Sequence, residues 1–238
     1  DHPRLLPGFV DLHVHGGGGA DAMEGGDAAA TMARTHVRFG TTSLLVTTMT
    51  APVSDIRQAL RDIARRIDEP PVQAARLLGV HLEGPYLNPG KLGAQPPYAH
   101  PGVIEEVEAL MALAPIRLLT LAPELSGHAE LIRQLRERGV RVQMGHTLGS
   151  YEEGVAGLAH GAHGFTHLFN AMTGLHHRKP GMVGAALAHA DYAEIIPDLL
   201  HVHPGAILTA LRCIPYLYGV TDSTAAAGMP DGEYRLGF

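Results

Sequence analysis

The stretch Phe9-Val10-Asp11-Leu12-His13-Val14-His15-Gly16 reads as an apolar strand that ends in two histidines. Side chains two apart on a strand share a face, so His13 and His15 can reach one ion together. Four further strand-like runs end in the same kind of residue. Glu83 follows Leu77-Leu78-Gly79-Val80-His81-Leu82, and His146 follows Gln143-Met144-Gly145. His167 follows Gly164-Phe165-Thr166, and Asp222 follows Tyr218-Gly219-Val220-Thr221. One such residue would mean little. Six of them at repeated strand ends describe a metallohydrolase, because a barrel of parallel strands gathers its strand C-termini around one site.

Apolar runs alternate with helical patterns along the whole chain. Residues Gly8–His15, Thr41–Thr47, Arg76–His81, Ile116–Leu121, Arg141–Gly145, Gly164–Leu168, Tyr192–Ile196 and Tyr216–Thr221 read as eight strands. Helices are expected over Ala28–Phe39, Val53–Ile67, Ile104–Leu113, His128–Arg138, Tyr151–His160 and Pro204–Arg212. Gly40 and Gly139 stand where a glycine commonly ends a helix. Strand–helix alternation implies a parallel sheet, and eight strands favour closure. The expected fold is α/β, a (β/α)8 TIM-type barrel, with residues 1–238 as one catalytic domain. The chain begins just before the first strand and stops soon after the eighth, so it reads as a barrel truncated at both ends. Gly16-Gly17-Gly18-Gly19 lacks nucleotide-loop spacing and reads as a mobile loop on the rim.

The 238 residues are 45% hydrophobic and 18% charged, enough for a large buried core and unlike a disordered chain. A net charge of −6 argues against nucleic acid or an anionic membrane as partner. An anionic substrate must then be caught by a local positive pocket. The single cysteine, Cys213, excludes an internal disulfide framework and suits a cytoplasmic location. No apolar run is long enough to span a membrane. The chain carries 16 His against 7 Tyr and 5 Phe, an excess that favours a metal site.

Glu83 sits just past a buried-looking run, where a carboxylate is costly unless paired or bound to metal. Its two oxygens could bridge two cations. His81 alternates with Glu83 and reads as a partner behind the ligands. His160 closes a helix, where its charge suits the dipole, and His163 precedes its strand at the opposite barrel end. Asp222 is either the N-cap of a following helix or the acid and base of a hydrolytic site. Asn170, Ala171, His176, His177, Arg178 and Lys179 follow the sixth strand, and His201 and His203 the seventh. Beside a metal site they form an anion-binding wall, with Arg178 as a phosphate fork.

The segments PGFVDLHVHG, GTTSLLVTT, GVHLEGPYLNP, KLGAQPP, LTLAPE, MGHT, FTHLFNAMTGLHHRKPG, LHVHP and GVTDSTAAAG occur in this order. In them the chain resembles the N-acetylglucosamine-6-phosphate deacetylases, within the amidohydrolase superfamily. The resemblance implies that Glu83, His146 and His167 hold one divalent ion and that His13 and His15 could hold a second. The metal would be Zn, Fe, Mn or Co. It implies Asp222 as the catalytic acid and base, with Gln95, Asn170, Ala171, Arg178 and His201 contacting a phosphosugar. It also implies a homodimer, with Arg178 and His201 helping to form a site at the interface. The family's small β-sandwich domain, built from both chain ends, is not matched. Leu199 departs from an Asp-Gly-x-His run in which the family often has glycine.

The reaction expected from the resemblance is hydrolysis of the acetamide of N-acetylglucosamine 6-phosphate, giving glucosamine 6-phosphate and acetate. Two other readings use the same residues. One is another amidohydrolase, acting on a cyclic amide, a dipeptide or an aminated base. The other is a phosphosugar-binding barrel without turnover, for which Asp222 would have no purpose.

Overall fold

The computed structural model describes residues 5–237. Its strands, in chain order, are β1 (Phe9–Val14), β2 (Gly16–Gly17), β3 (Ala20–Asp21), β4 (Thr41–Thr48), β5 (Arg76–Glu83), β6 (Ile116–Leu121), β7 (Arg141–Met144), β8 (Gly164–Phe165), β9 (Tyr192–Ile195) and β10 (Tyr216–Gly219). All but the short pair β2 and β3 lie in one sheet of eight parallel strands. Each neighbours the next in chain order, as repeated crossovers of one hand require. Helices lie between them: α1 (Ala28–Val37), α2 (Val53–Asp68), α3 (Ile104–Met111), α4 (His128–Glu137), α5 (Tyr151–His160), α6 (Gly181–His189) and α7 (Pro204–Cys213). The expected barrel is therefore present.

Local rules account for most of these elements. In α2, Ile56, Ala59, Leu60 and Ile63 are buried at the spacing of one helical face, while Arg57, Gln58 and Arg61 face solvent. Ser150 and Glu153 close a reciprocal capping box at the start of α5. Gly40 (φ 95°) and Gly139 (φ 77°) turn the chain in the left-handed region after α1 and α4, as expected.

Two elements differ from expectation. Helix α6 is additional to the expected set, because Gly181-Met182-Val183-Gly184-Ala185-Ala186 is buried continuously and carries no polar stripe. The glycine run is not a mobile loop. β2 pairs antiparallel with β3, and Gly16 and Gly17 are buried. A Cβ on Gly16 would stand 2.4 Å from the Ala225 nitrogen. Close backbone packing, and not flexibility, is what glycine provides there.

β1 and β10 do not share a ladder. The barrel closes instead at its C-terminal mouth, through the residues just beyond β10. Asp222 N–H donates to the His13 carbonyl (3.0 Å), and His15 and Gly16 N–H both donate to the Ser223 carbonyl (2.9 Å each). The Asp11 carboxylate accepts from the Thr221 hydroxyl at 2.7 Å. These bonds draw Asp222 against the His13–His15 segment, which the site requires.

Aliphatic side chains fill the space between sheet and helices, but a polar layer crosses the barrel beneath its mouth. His81 contacts Thr47 Oγ1 (3.4 Å) and Thr120 Oγ1 (2.7 Å), and Thr120 contacts Thr166 Oγ1 (2.7 Å). Thr166 then donates to Gln143, whose amide reaches the Tyr218 hydroxyl. Buried polar groups persist only when bonded, and these form one connected floor.

Candidate metal centre

Five residues converge in the mouth as two histidine pairs joined by one carboxylate. His13 Nε2 and His15 Nε2 lie 3.1 Å apart, and His146 Nε2 and His167 Nε2 lie 3.0 Å apart. Glu83 Oε2 faces the first pair at 3.5 and 3.0 Å, while Oε1 faces the second at 3.2 and 3.2 Å. All five residues are buried. The expected ligand set is brought together in full.

Backbone geometry explains how the later strands deliver their residues. His146 (φ 48°), His167 (φ 27°) and Asp222 (φ 49°) adopt left-handed conformations that non-glycine residues rarely take. Each lies just past the end of its strand, where the chain leaves the ladder and turns its side chain inward. This is why β7, β8 and β10 stop short of the expected Gly145, Leu168 and Thr221. Such strain persists only where the surrounding structure imposes it, and it clusters at functional sites.

The charges fit a cation. Burial would lower His13 and His15, but Asp222, Glu83 and, for His13, Glu194 outweigh it. His13 is driven well above its ordinary value and His15 to about 9. Burial would raise Glu83, yet the adjacent His13 and His146 hold it well below the usual carboxylate range. Burial likewise opposes ionisation of Asp222, and His13 and His15 reverse it, so this carboxyl too is held far down. The carboxylates thus create a field that demands positive charge between the imidazoles. Protons or metal ions can supply it, and they compete. Glu83 Oε1 is buried and has no hydrogen-bond donor among the described residues. An oxygen left that way beside two imidazole nitrogens, in a set of four His and one Glu, is chemically suited to holding divalent metal.

Asp222 Oδ1 lies 3.2 Å from His13 Nε2 and 3.3 Å from His15 Nε2, and its side chain is 23% exposed, the most open of the group. It therefore touches both the ligands and the cavity. That cavity, of about 460 Å³, is lined by His15, Glu83, Gln95, His146, His167, Asn170, Ala171, His201 and Asp222 among others. Of the expected substrate contacts, Arg178 is absent from it. Arg178 is exposed and lines a neighbouring hollow with Ser150, Glu153 and Lys179. His176 and His177 are also exposed. His203 caps α7 by accepting from Gly205 N–H at 3.1 Å.

Gln95 lines the cavity, but protein groups hold both ends of its amide. Its Nε2 donates to Glu83 Oε2 (2.6 Å), and its Oε1 accepts from Thr50 N–H (2.7 Å). His201 Nδ1 lies 2.7 Å from the Asp198 carboxylate. Leu199 between them has φ 65°, a conformation that glycine takes without cost.

His81 does not hold a ligand by a hydrogen bond, since both its nitrogens face threonines. It packs edge-on against His13, with ring centroids 4.5 Å apart, and burial keeps it neutral. The residue behind His13 is Glu194, which the sequence expectations do not include. Its Oε1 lies 2.7 Å from His13 Nδ1 and accepts from the His167 backbone N–H at 3.0 Å. A signal for it exists: a carboxylate inside the apolar run Tyr192-Ala193-Glu194-Ile195-Ile196 has the same burial cost that singles out Glu83.

Among known proteins, residues 4–210 match the model of the amidohydrolase family. An N-acetylglucosamine-6-phosphate deacetylase of Vibrio furnissii is 43% identical over 98% of this chain and 60% of its own length. An N-acetylgalactosamine-6-phosphate deacetylase of Escherichia coli O157:H7 is 42% identical over 99% of this chain and 64% of its own length. The solved N-acetyl-D-glucosamine-6-phosphate deacetylase of Mycobacterium smegmatis superposes with a TM-score of 0.91 at 34% identity, covering 98% of this chain and 62% of that one. The chain thus spans about three fifths of the length of these relatives. No described helix is long and apolar enough to cross a membrane.

Proposed function

The chain belongs to the amidohydrolase family, and from that premise we propose that it is the catalytic barrel of a cytosolic, homodimeric N-acetylglucosamine-6-phosphate deacetylase. The observation that carries this reading is the bridged pair of histidine pairs with Asp222 beside it. A dinuclear set with an adjacent, partly open carboxylate suits hydrolysis of an amide better than simple retention of a ligand.

Glu83, His146 and His167 would hold one divalent ion, and His13 and His15 the second, with Glu83 shared. When bound, such ions supply Lewis acidity, acidifying water and polarising an amide carbonyl. Asp222 begins ionised, so it can take a proton from water as the acetamide carbon is attacked. It then returns that proton to the departing amine, freeing glucosamine 6-phosphate and acetate. Gln95 keeps Glu83 aimed between the histidine pairs. His201, Asn170 and Ala171 line the cavity wall where the sugar phosphate would lie. Arg178 lines a separate hollow of its own chain, and in a homodimer it would serve the pocket of the partner subunit. Because a relative of nearly equal identity is named for the galacto isomer, N-acetylgalactosamine 6-phosphate is the second candidate substrate.

Asp222→Asn tests the assignment. The variant should keep its full metal content and lose about 10²- to 10⁴-fold in acetate release, the usual range for a proton-transfer group. Full activity in that variant would refute the role.

A further inference from the structure

Each histidine pair contains one imidazole whose orientation is fixed from behind. In the second pair, His146 Nδ1 lies 2.8 Å from the Lys91 carbonyl. In the first, His13 Nδ1 lies 2.7 Å from Glu194 Oε1. A carbonyl can only accept, and an ionised carboxylate can only accept. Both histidines therefore keep a proton on Nδ1, so that once an ion takes the place of any Nε2 proton it is the Nε2 lone pair that faces the centre. Their companions His15 and His167 have no Nδ1 partner among the described residues. The two pairs thus differ in what stands behind them: a main-chain carbonyl backs one, and a side-chain carboxylate backs the other.

We propose that Glu194 is a positioning residue that makes the His13–His15 half of the centre competent to hold its ion, and so decides whether one or two ions are bound. This rests on the metal-site reading and not on the identity of the substrate. Glu194 is fully buried on β9, behind His13 and outside the set of residues that line the cavity, so it contacts no substrate. The same oxygen that orients His13 also accepts from the His167 backbone N–H, which ties the placement of one ligand from each pair to a single atom. A carboxylate behind a metal-bound imidazole fixes its ring and raises its basicity, and losing it commonly costs 10- to 100-fold in metal affinity. In the Glu83–His146–His167 half, His146 is backed by a main-chain carbonyl that no side-chain substitution removes. Only the acceptor of the His167 backbone N–H would be lost, so this half should weaken less than the other.

The test is metal stoichiometry and affinity in the full chain, titrated with Co(II) and followed by its visible absorption. Wild type should bind two ions. Glu194→Ala should bind one, at the Glu83–His146–His167 half, and that retained ion also reports that the variant is folded. Glu194→Gln keeps an acceptor for His13 Nδ1 without the charge, and should bind both ions with the second about 10- to 100-fold weaker. If Glu194→Ala does not fold, the Gln variant decides. A wild-type chain that binds one ion, or Glu194 variants with two ions of wild-type affinity, would overturn the proposal. These readouts stand whether or not the chain releases acetate.

Discussion

Replacing Gln95 by leucine should destabilise the metal-free protein more than the metal-loaded one. The amide of Gln95 makes two buried hydrogen bonds, to Glu83 Oε2 and from Thr50 N–H. Leucine has similar volume and makes neither. The buried Thr50 N–H would lose its acceptor, at a cost of about 1–3 kcal/mol. Glu83 Oε2 would lose a charge-assisted donor worth about 1.5–3 kcal/mol, a loss that a bound ion makes good. The expected penalty is then about 4 kcal/mol without metal and about 2 kcal/mol with it. For a barrel of this size, each kcal/mol moves Tm by about 2–4 °C. Thermal unfolding with chelator and with excess divalent metal should show the Gln95→Leu variant recovering roughly half its loss on loading. Equal losses in both states would mean that Gln95 does not brace the bridging carboxylate, and the reasoning would fail.

Leu199 holds a left-handed backbone while 60% exposed, so Leu199→Asn should relieve about 1 kcal/mol of strain and raise Tm. A fall of the same size would mean that its apolar contacts outweigh the backbone. His128 donates through Nδ1 to the Ala122 carbonyl and accepts Gly102 N–H at Nε2. Burial, more than any charge, lowers its pKa below the ordinary 6.5. The unfolded chain therefore binds the extra proton first, so this contribution is complete above pH 6.5 and declines as pH falls below it. Denaturant titrations from about pH 7.5 down to about 5 should show a shallower loss in His128→Gln than in wild type, and parallel slopes would contradict this.

Most of the ligand set is legible in the sequence because burial penalises charge. A histidine or carboxylate at the end of an apolar run has few reasons to be there, and Glu83, His146 and His167 stand out on that ground. Eight strands are legible from apolar runs, although their ends are not. The left-handed turns at His146, His167 and Asp222 have no local signature, since non-glycine residues adopt them only under tertiary constraint. The β2–β3 hairpin depends on Ser223, Ala225 and Ala227, roughly 200 residues away in sequence, and nothing within four glycines reveals that pairing. Helix α6 shows no amphipathic stripe because its first six residues are buried in succession. Arg178 matches a phosphate fork by sequence order, yet its loop carries it out of the cavity of its own chain. Position along the chain locates that residue's neighbourhood and not its partner.

The most direct measurement is acetate release from N-acetylglucosamine 6-phosphate by the metal-loaded chain, with the unphosphorylated sugar in parallel and a chelated sample as control. Release from the phosphorylated sugar alone, abolished by chelation, is the expected result. Protein that binds two ions yet releases no acetate from either the gluco or the galacto phosphosugar would contradict the deacetylase assignment.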